Sequence, residues 1–121
     1  MNRKHRSLKA WQDAMELVED VYAATKLFPN EEPFGLTTQM RRAAVSVPAN
    51  LAEGAARPGT KELLRFISIA AASLSELDTH IEIARRLGYV NGRRLDEKLD
   101  AVAGLLMALE ASLKRKLKDA G

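Results

Sequence analysis

A four-three repeat of apolar residues in the third quarter of the chain is the feature that most constrains the fold. The repeat runs without a slip from Leu63 to Gly88. Its members are Leu63, Ile67, Ala70, Leu74, Leu77, Ile81, Ala84 and Gly88. Such a repeat places one apolar stripe along a long α-helix, as in antiparallel helical bundles and coiled coils. The segment therefore predicts a long helix that other helices must cover.

The ends of this helix also carry local signals. Thr60 is predicted as its N-cap, and Glu62 lies where a negative charge favours the positive end of the helix dipole. Gly88, with Tyr89 and Val90 after it, is typical of a helix that ends in a left-handed residue.

The first and last quarters of the chain predict two more amphipathic helices. The first runs from about Ser7 to Phe28, with Ser7 as a plausible N-cap and Pro29 as the residue that stops it. In the last quarter, Asn91 and Gly92 turn the chain, and Asn91 is predicted to cap the helix that follows. That helix has its own four-three repeat, made of Leu95, Leu99, Val102, Leu106, Leu109, Leu113 and Leu117.

The stretch from Pro33 to Gly54 predicts a helix with an unusual surface. It starts near Thr37, with Thr37 or Thr38 as the cap, and it has an apolar face, a polar stripe and a third side of small uncharged residues. Pro48 lies inside it and has no N–H for the carbonyl of Ala44, so a kink is expected there. Because the apolar face continues in phase across Pro48, one kinked helix is preferred over two separate helices.

Four helices with short connections predict an all-α fold, an antiparallel up-down-up-down four-helix bundle. The connections are predicted at residues 30–33, 55–59 and 91–92, which are rich in turn-forming residues. The whole chain, 1–121, is predicted to be one domain, with 1–6 as a basic N-terminal tail and 119–121 as a C-terminal tail. A content of 46% hydrophobic and 29% charged residues agrees with a globular domain.

Composition and motifs exclude several classes of function. The chain has no cysteine, which excludes disulfides and thiolate metal sites, and no apolar run approaches the roughly 20 residues that cross a bilayer. Neither His5 nor His80 follows a glutamate by three residues, as carboxylate-bridged di-iron bundles require. A nucleophile elbow, a P-loop and a dinucleotide fingerprint are also missing. We therefore expect a cytoplasmic protein that is not an enzyme and has no metal or other cofactor.

Basic residues are concentrated near the two chain ends, although the net charge is only +3. Those near the ends are Arg3, Lys4, Arg6, Lys9, Lys114, Arg115, Lys116 and Lys118. Such clusters are either solvated tails or a surface for RNA or DNA, because cations that contact phosphates gain by counterion release. Since aromatic residues make up only 5% of the chain, any such contact should go to phosphates with weak sequence selectivity.

The polar stripe of the second helix allows two interpretations. In the first it is a structural network between helices, in which Arg41 or Arg42 pairs with Glu76 and Asn50 satisfies backbone freed at Pro48. The predicted members of this network are Ser46, Asn50, Glu76 and Thr79. In the second interpretation, some of the arginines face a ligand or a subunit interface.

The small uncharged side of the second helix is not needed to cover the rest of the bundle. Val45, Ala49 and Ala52 lie on this side. An interface between copies of the chain would bury such a side, and these three residues are the predicted oligomer interface.

Several segments carry a family resemblance. They are Leu8-Lys9-Ala10-Trp11, Phe28-Pro29, Gly35-Leu36-Thr37, Arg41-Arg42-Ala43-Ala44, Ser46-Val47-Pro48-Ala49-Asn50-Leu51-Ala52-Glu53-Gly54, Arg65-Phe66, Ser73-Leu74-x-Glu76-Leu77-x-Thr79 and Leu87-Gly88-Tyr89. With them the chain resembles the bacterial four helix bundle proteins, also called 23S rRNA intervening-sequence proteins, from about Leu8 to Val90. The last helix matches only in pattern. Where the family usually has Gly-Ser before the Leu-x-Glu-Leu motif, this chain has Ala72-Ser73, and no change in packing is expected.

The resemblance implies a four-helix bundle that assembles into a ring-shaped homopentamer. Some members are encoded inside insertions in the large ribosomal RNA gene. Relatives that accompany diversity-generating retroelements bind nucleic acid and the reverse transcriptase through a basic surface. For this chain the resemblance implies Arg41, Arg42, Arg57 and Arg65 as pore or nucleic-acid positions, and Lys61 is a further exposed cation near a helix end.

Two functions remain open at this point. The first is an oligomeric accessory protein that binds nucleic acid, most readily RNA, and it rests on the basic chain ends and the resemblance. The second is a protein–protein interaction scaffold with no nucleic-acid role, and it rests on the uncharged outer side of the second helix. Both predict self-association.

Overall fold

The computed structural model describes residues 1–30 and 35–120, and within these ranges the chain is helical without any strand. A short 3-10 turn at Lys4–Ser7 precedes the α-helices. The α-helices are α1 (Lys9–Thr25), α2 (Leu36–Ala56), α3 (Thr60–Arg86) and α4 (Arg93–Ala120). The predicted all-α class is confirmed, and the part of the predicted loop at residues 31–33 lies outside the described residues.

The helices pack in an up-down-up-down arrangement, as the sequence predicts. α2 packs between α1 and α3, and α4 packs between α3 and α1, so that the four helices close a ring around the core. Two ion pairs fix α4 antiparallel to α1, with Lys98 Nζ 2.9 Å from Glu16 and Arg94 Nη2 3.3 Å from Asp20. The contact of α2 with α3 is the most extensive of all.

The core takes residues from every helix. Its largest fully buried side chains are Leu17, Val21, Met40, Val47, Leu51, Ile67, Leu77, Ile81 and Val102. The four-three repeat of α3 is buried from Ile67 to Ala84. Burial of each such side chain contributes about 1.5–3 kcal/mol to the free energy of unfolding, and this apolar term drives the four helices together. None of the helices described is both long and apolar enough to cross a membrane.

α2 continues through Pro48 as one helix, which agrees with the prediction of a single element. The bend at Pro48 stays a prediction. Near the end of α2, Gly54 lies against α3 so closely that a Cβ atom built on it would be 2.7 Å from Phe66 Cβ and 3.1 Å from Leu63 Cδ1. A glycine is therefore needed where the two helices come together.

The predicted cap and end of α1 are wrong. Ser7 does not cap α1, because its hydroxyl donates to the carbonyl of Lys4 (2.9 Å) within the 3-10 turn, and Leu8 precedes the helix in an extended conformation. The helix ends at Thr25 rather than Phe28, since the next residues tighten into a turn in which Phe28 N donates to Thr25 O (3.1 Å). Phe28 is still buried, so its apolar character was not sufficient to locate the helix end.

The threonine caps predicted for α2 and α3 are also wrong. α2 begins at Leu36 after Gly35, so that Thr37 and Thr38 lie within its first turn. α3 begins at Thr60 itself after Gly59, whose φ of +92° favours glycine. In both cases a glycine takes the N-cap position, and having no side chain it makes no side-chain cap hydrogen bond.

The connection between α3 and α4 follows the predicted local signals. Gly88 has a φ of +78°, and Tyr89 N donates to Ala84 O (2.9 Å), as in a Schellman motif. Asn91 Oδ1 accepts a hydrogen bond from Arg93 N (2.9 Å), the first residue of α4. These two predictions are confirmed.

Arg85 holds the same connection together. It donates through Nε to Asn91 O (2.7 Å) and forms ion pairs with Glu82 on its own helix and with Asp96 on α4. Hydrogen bonds from Arg86 and Arg85 lower the pKa of the Glu82 carboxyl below its ordinary value. The clamp is therefore fully charged at neutral pH.

Substitution of the two helical glycines tests the close packing of α2 on α3. Gly54→Ala is expected to lower the free energy of unfolding by about 1–3 kcal/mol, because the added methyl overlaps Phe66. Gly104→Ala is the matched control. No atom lies within 4 Å of a Cβ there, and the better helix propensity of alanine should raise stability by about 0.5–1 kcal/mol. Urea unfolding measures both, and a Gly54→Ala protein as stable as the wild type would contradict the packing.

Candidate nucleic-acid interface

The basic start of the chain folds back onto α2. The 3-10 turn contacts α2, and a cavity of about 380 Å³ lies between the N-terminal segment and the end of α2. It is lined by Met1, Asn2, Lys4, His5, Ala52, Glu53, Ala55 and Ala56. The His5 ring lies edge-on to Trp11 at 5.1 Å between centroids, and Gln12 Nε2 donates to Arg6 O (2.8 Å). The cations of the N-terminal segment are therefore held next to the end of α2.

The up-down arrangement brings the other basic segments to the same end of the bundle. Ile67 of α3 and Glu110 of α4 line one groove, and these helices run antiparallel. Seven residues, or about 10 Å, beyond this level along each axis, the start of α3 at Thr60 is level with the part of α4 around Leu117. The start of α1, the end of α2, the start of α3 and the end of α4 thus lie together, and we call this region the basic end.

The basic end holds eleven of the nineteen lysines and arginines of the chain. They are Arg3, Lys4, Arg6, Lys9, Arg57, Lys61, Arg65, Lys114, Arg115, Lys116 and Lys118. Five acidic residues accompany them, namely Asp13, Glu53, Glu62, Glu110 and Asp119. The rest of the chain has eight basic and eleven acidic residues. The modest net charge of the chain is therefore the sum of a strongly positive end and a negative body. A charge asymmetry of this kind directs polyanions towards the positive end.

Seven of these cations have no carboxylate partner within residues 1–30 and 35–120. Ion pairs within the basic end join Lys9 to Asp13 (2.7 Å), Arg57 to Glu53 (3.3 Å), Arg65 to Glu62 (3.3 Å) and Lys114 to Glu110 (3.0 Å). Arg3, Lys4, Arg6, Lys61, Arg115, Lys116 and Lys118 form no ion pair with any described residue. Unpaired, exposed cations keep their full attraction for an incoming phosphate.

The two paired arginines of the basic end are held in fixed orientations. The guanidinium carbons of Arg57 and Arg65 lie 5.5 Å and 4.5 Å from the centroid of the Phe66 ring. Phe66 is buried, so its ring supports the arginines and offers no face to a nucleobase. A ligand at this end would meet positive charge and guanidinium groups.

The structure divides the predicted nucleic-acid residues between two places. Arg57, Lys61 and Arg65 lie together at the basic end, whereas Arg41 and Arg42 lie sixteen residues earlier, about 24 Å away along the axis of α2. The sequence analysis gave the cations of the two chain ends as either solvated tails or a surface for RNA or DNA, but it did not predict that the two ends lie together. The predicted topology could have shown this. An even number of antiparallel helices places the C-terminus at the same end of the bundle as the N-terminus.

Neither Arg41 nor Arg42 pairs with Glu76, contrary to the predicted network. Arg41 Nε instead donates to the hydroxyl of Thr25 on α1 (2.9 Å), and its guanidinium carbon lies 4.5 Å above the Tyr22 ring. Arg42 is exposed and has no ion pair or side-chain hydrogen bond to the described residues. Arg41 is thus turned towards α1, away from α3.

The polar stripe of α2 makes a smaller network than the sequence suggests. Ser46 and Ser73 share a hydrogen bond of 2.8 Å across the α2–α3 interface, and Asn50 Nδ2 donates to Ser46 Oγ (2.9 Å) and to Ser46 O (2.8 Å). Asn50 therefore does not reach the carbonyl of Ala44 that Pro48 leaves without a donor. Glu76 and Thr79 lie on the exposed side of α3, where Thr79 Oγ1 donates to Ser75 O (3.1 Å).

The residues predicted for an oligomer interface differ in exposure. Val45 is 42% exposed and Ala49 is exposed, whereas Ala52 is half-buried beside the N-terminal segment. The chain itself therefore covers one end of this side of α2 and leaves the other end open.

Two further observations limit the chemistry of the described residues. Within them, no three His, Asp or Glu side chains are grouped closely enough to hold a metal ion. The buried His80 lies within α3 with its Nδ1 unpaired among the described residues.

One known protein family matches most of the chain. The family model of the 23S rRNA-intervening sequence protein matches residues 6–110, which include all of α1, α2 and α3 and most of α4. A search among curated proteins gives no match. The matched range ends before the last turns of α4, which carry four of the cations of the basic end.

Substitutions in the small polar network test whether it is structural. Ser46→Ala is expected to lower the free energy of unfolding by about 1–2 kcal/mol, because Ser73 and Asn50 both lose a partner in a partly buried contact. Glu76→Gln, outside the network, should change it by less than about 0.5 kcal/mol. Thermal or urea unfolding gives both values, and equal effects would show that the network does not stabilise the bundle.

Proposed function

The chain belongs to the 23S rRNA-intervening sequence protein family, and from this premise we propose that it is a non-enzymatic accessory protein that binds RNA through the basic end. The observation that carries the proposal is the meeting of cations from the N-terminus, the start of α3 and the C-terminal turns of α4. These segments are far apart in sequence, and only the bundle makes them one surface.

The physical basis of binding is release of counterions from the phosphate backbone. Each phosphate contacted by an unpaired lysine or arginine displaces condensed cations, and the gain falls as salt concentration rises. The surface ion pairs at the basic end are worth only about 0–1 kcal/mol each, so Arg57 and Arg65 can exchange a carboxylate for a phosphate. The described basic end therefore supplies both free and exchangeable cations.

Recognition at this end is expected to be directed to the backbone. Phe66 is buried beneath two arginines, and Trp11 is half-buried next to His5. Base stacking requires exposed aromatic faces, and backbone contacts carry no direct sequence information. We therefore propose affinity for RNA with weak sequence preference. DNA of similar charge should compete with it.

We also propose that the protein self-associates, and the family resemblance favours a ring-shaped pentamer. The part of α2 that remains uncovered carries Val45 and Ala49, and the neighbouring helices expose Met15, Tyr22 and Ile69. Apolar side chains that are exposed on adjacent helices are typical of surfaces that bind protein. A ring would present several basic ends to one RNA and raise its affinity through multivalency.

The groove between α3 and α4 favours the second candidate function, a protein-binding scaffold. This groove has a volume of about 510 Å³ and is bordered by Met107, which is 72% exposed, and by the acidic residues Asp78 and Asp100. Its charge is opposite to that of the basic end. The partner would be a protein segment with apolar and basic residues, and the family resemblance suggests a reverse transcriptase as one source.

Removal of unpaired cations tests the proposed RNA site. The variant Lys61→Gln, Arg115→Gln, Lys116→Gln and Lys118→Gln should bind a mixed-sequence RNA more weakly, and the slope of log K against log salt should fall by about 0.7 for each lost contact to a single strand. The matched control removes four cations elsewhere, by Lys26→Gln, Arg86→Gln, Arg93→Gln and Arg94→Gln. Gel-shift titrations from low to physiological salt measure both variants. An equal loss of affinity in the control, or an unchanged slope in the first variant, would refute the assignment to the basic end.

Size-exclusion chromatography with light scattering tests self-association. The wild-type chain of 13.3 kDa should elute as an oligomer, and Ala49→Glu should dissociate it, because a carboxylate would enter the apolar contact. Ala108→Glu, at an exposed position of α4, is the control and should leave the assembly intact. A monomeric wild-type protein at micromolar concentration would contradict the proposal.

A further inference from the structure

Arg41 is the most constrained cation that has no carboxylate partner among the described residues. Its Nε donates to Thr25 Oγ1 (2.9 Å), and its guanidinium carbon lies over the Tyr22 ring at 4.5 Å from the centroid. Thr25 is itself buried, and its hydroxyl donates to Val21 O (2.8 Å). The guanidinium plane is therefore fixed by α1, and the order of the side chain does not depend on an acidic residue.

These contacts, and all others with residues 1–30 and 35–120, leave the far edge of the guanidinium without a hydrogen-bond partner. Its two terminal amino groups make no hydrogen bond to residues 1–30 or 35–120. An arginine whose Nε is occupied can still donate two parallel N–H bonds from this edge, a geometry that fits a carboxylate or a phosphate.

A cavity of about 480 Å³ opens where this edge lies. It is lined by Tyr22, Thr38, Arg41, Arg42, Val45 and Ser46. Neither Arg41 nor Arg42 has an ion pair with residues 1–30 or 35–120, so no carboxylate in these ranges neutralises the two cations that line the cavity. Val45, which lies between the two arginines on the helix surface, gives the cavity an apolar part.

We propose that Arg41 and Arg42 bind a phosphate monoester in this cavity. A phosphate monoester carries close to two negative charges at neutral pH and three acceptor oxygens, so it can neutralise both guanidinium groups at once. A single carboxylate carries one charge and would leave one arginine uncompensated. The site is about 24 Å from the basic end and does not depend on RNA binding there. It shares Tyr22 and Val45 with the surface proposed for self-association, so phosphate binding requires that the cavity stays open in the oligomer.

The phosphate group can come from free phosphate or from a nucleotide, and the two sources are distinguishable. Val45 offers apolar contact to the body of a nucleotide, which inorganic phosphate lacks. A nucleoside monophosphate should therefore bind more tightly than inorganic phosphate if a nucleotide is the ligand. Equal affinities would identify the free anion.

The test is an NMR titration of the arginine Nε–H groups of the full chain, at constant ionic strength maintained with chloride. Inorganic phosphate and AMP should each shift the Arg41 Nε–H signal in a saturable way, whereas adenosine should not. Arg42→Gln should weaken binding by about tenfold or more, since one charge-assisted contact is lost. Arg93→Gln, at an exposed arginine on α4, is the matched control and should leave the affinity unchanged.

A second variant examines how Arg41 is positioned. Thr25→Val keeps the size of the buried side chain but removes the acceptor for Arg41 Nε, so phosphate binding should weaken while both charges remain. Equal binding in Thr25→Val and the wild type would show that the constraint on Arg41 is not part of the site, and would overturn the proposed geometry.

Two results would overturn the phosphate site itself. The first is the absence of a saturable shift at about 10 mM phosphate or AMP, a concentration tenfold above a millimolar dissociation constant. The second is dissociation of the oligomer by Arg42→Gln without any phosphate binding by the wild type, measured by light scattering. That result would show that the arginines pair with carboxylates of a second copy across Val45.

Discussion

The packing of α2 against α3 is the contact on which the rest of the structure depends. Gly54 lets the two helices approach until Phe66 Cβ lies where a side chain on α2 would start, and the Ser46–Ser73 hydrogen bond joins them further along. This packing fixes α3, and α3 then positions α4 through the Arg85 clamp at the opposite end. This packing also determines where the basic segments lie. The start of α3 and the end of α4 are parts of the two helices that it positions.

The sequence predicted the features that depend on local chemistry alone. The repeat from Ile67 to Ala84 is buried as expected, and Gly88 and Asn91 end and begin their helices as expected. These signals work because an apolar period or a left-handed glycine has the same consequence in almost any helical protein. The threonine caps were wrong because Gly35 and Gly59 precede the helices and take the capping positions.

The predicted pair of Arg41 or Arg42 with Glu76 was wrong for a different reason. When the sequence pattern of α2 is considered alone, a carboxylate on a neighbouring helix is a reasonable partner for its arginines, because opposite charges attract. The structure instead offers Arg41 a buried hydroxyl and an aromatic face on α1, where a planar guanidinium can donate and stack at the same time. Competition between two neighbouring helices for one side chain cannot be decided from periodicity. Composition shows the basic ends of the chain, whereas only the topology shows that they meet.

The two groups of cations differ in how their side chains are held, and this difference is the reason for proposing different ligands for them. At the basic end, most of the unpaired cations lie in the N-terminal segment and the last turns of α4, and their side chains are exposed and free to adjust. Such cations suit a backbone whose phosphates occupy many positions, because affinity then depends on number and charge rather than on geometry. The Arg41 side chain, by contrast, is already held by its contacts with Thr25 and Tyr22 in the absence of a ligand. A cation ordered in advance gains most from a ligand of one fixed shape, since little further entropy is lost on binding. The two proposals thus rest on different properties, the number of adjustable cations at the basic end and the fixed position of Arg41 beside Tyr22.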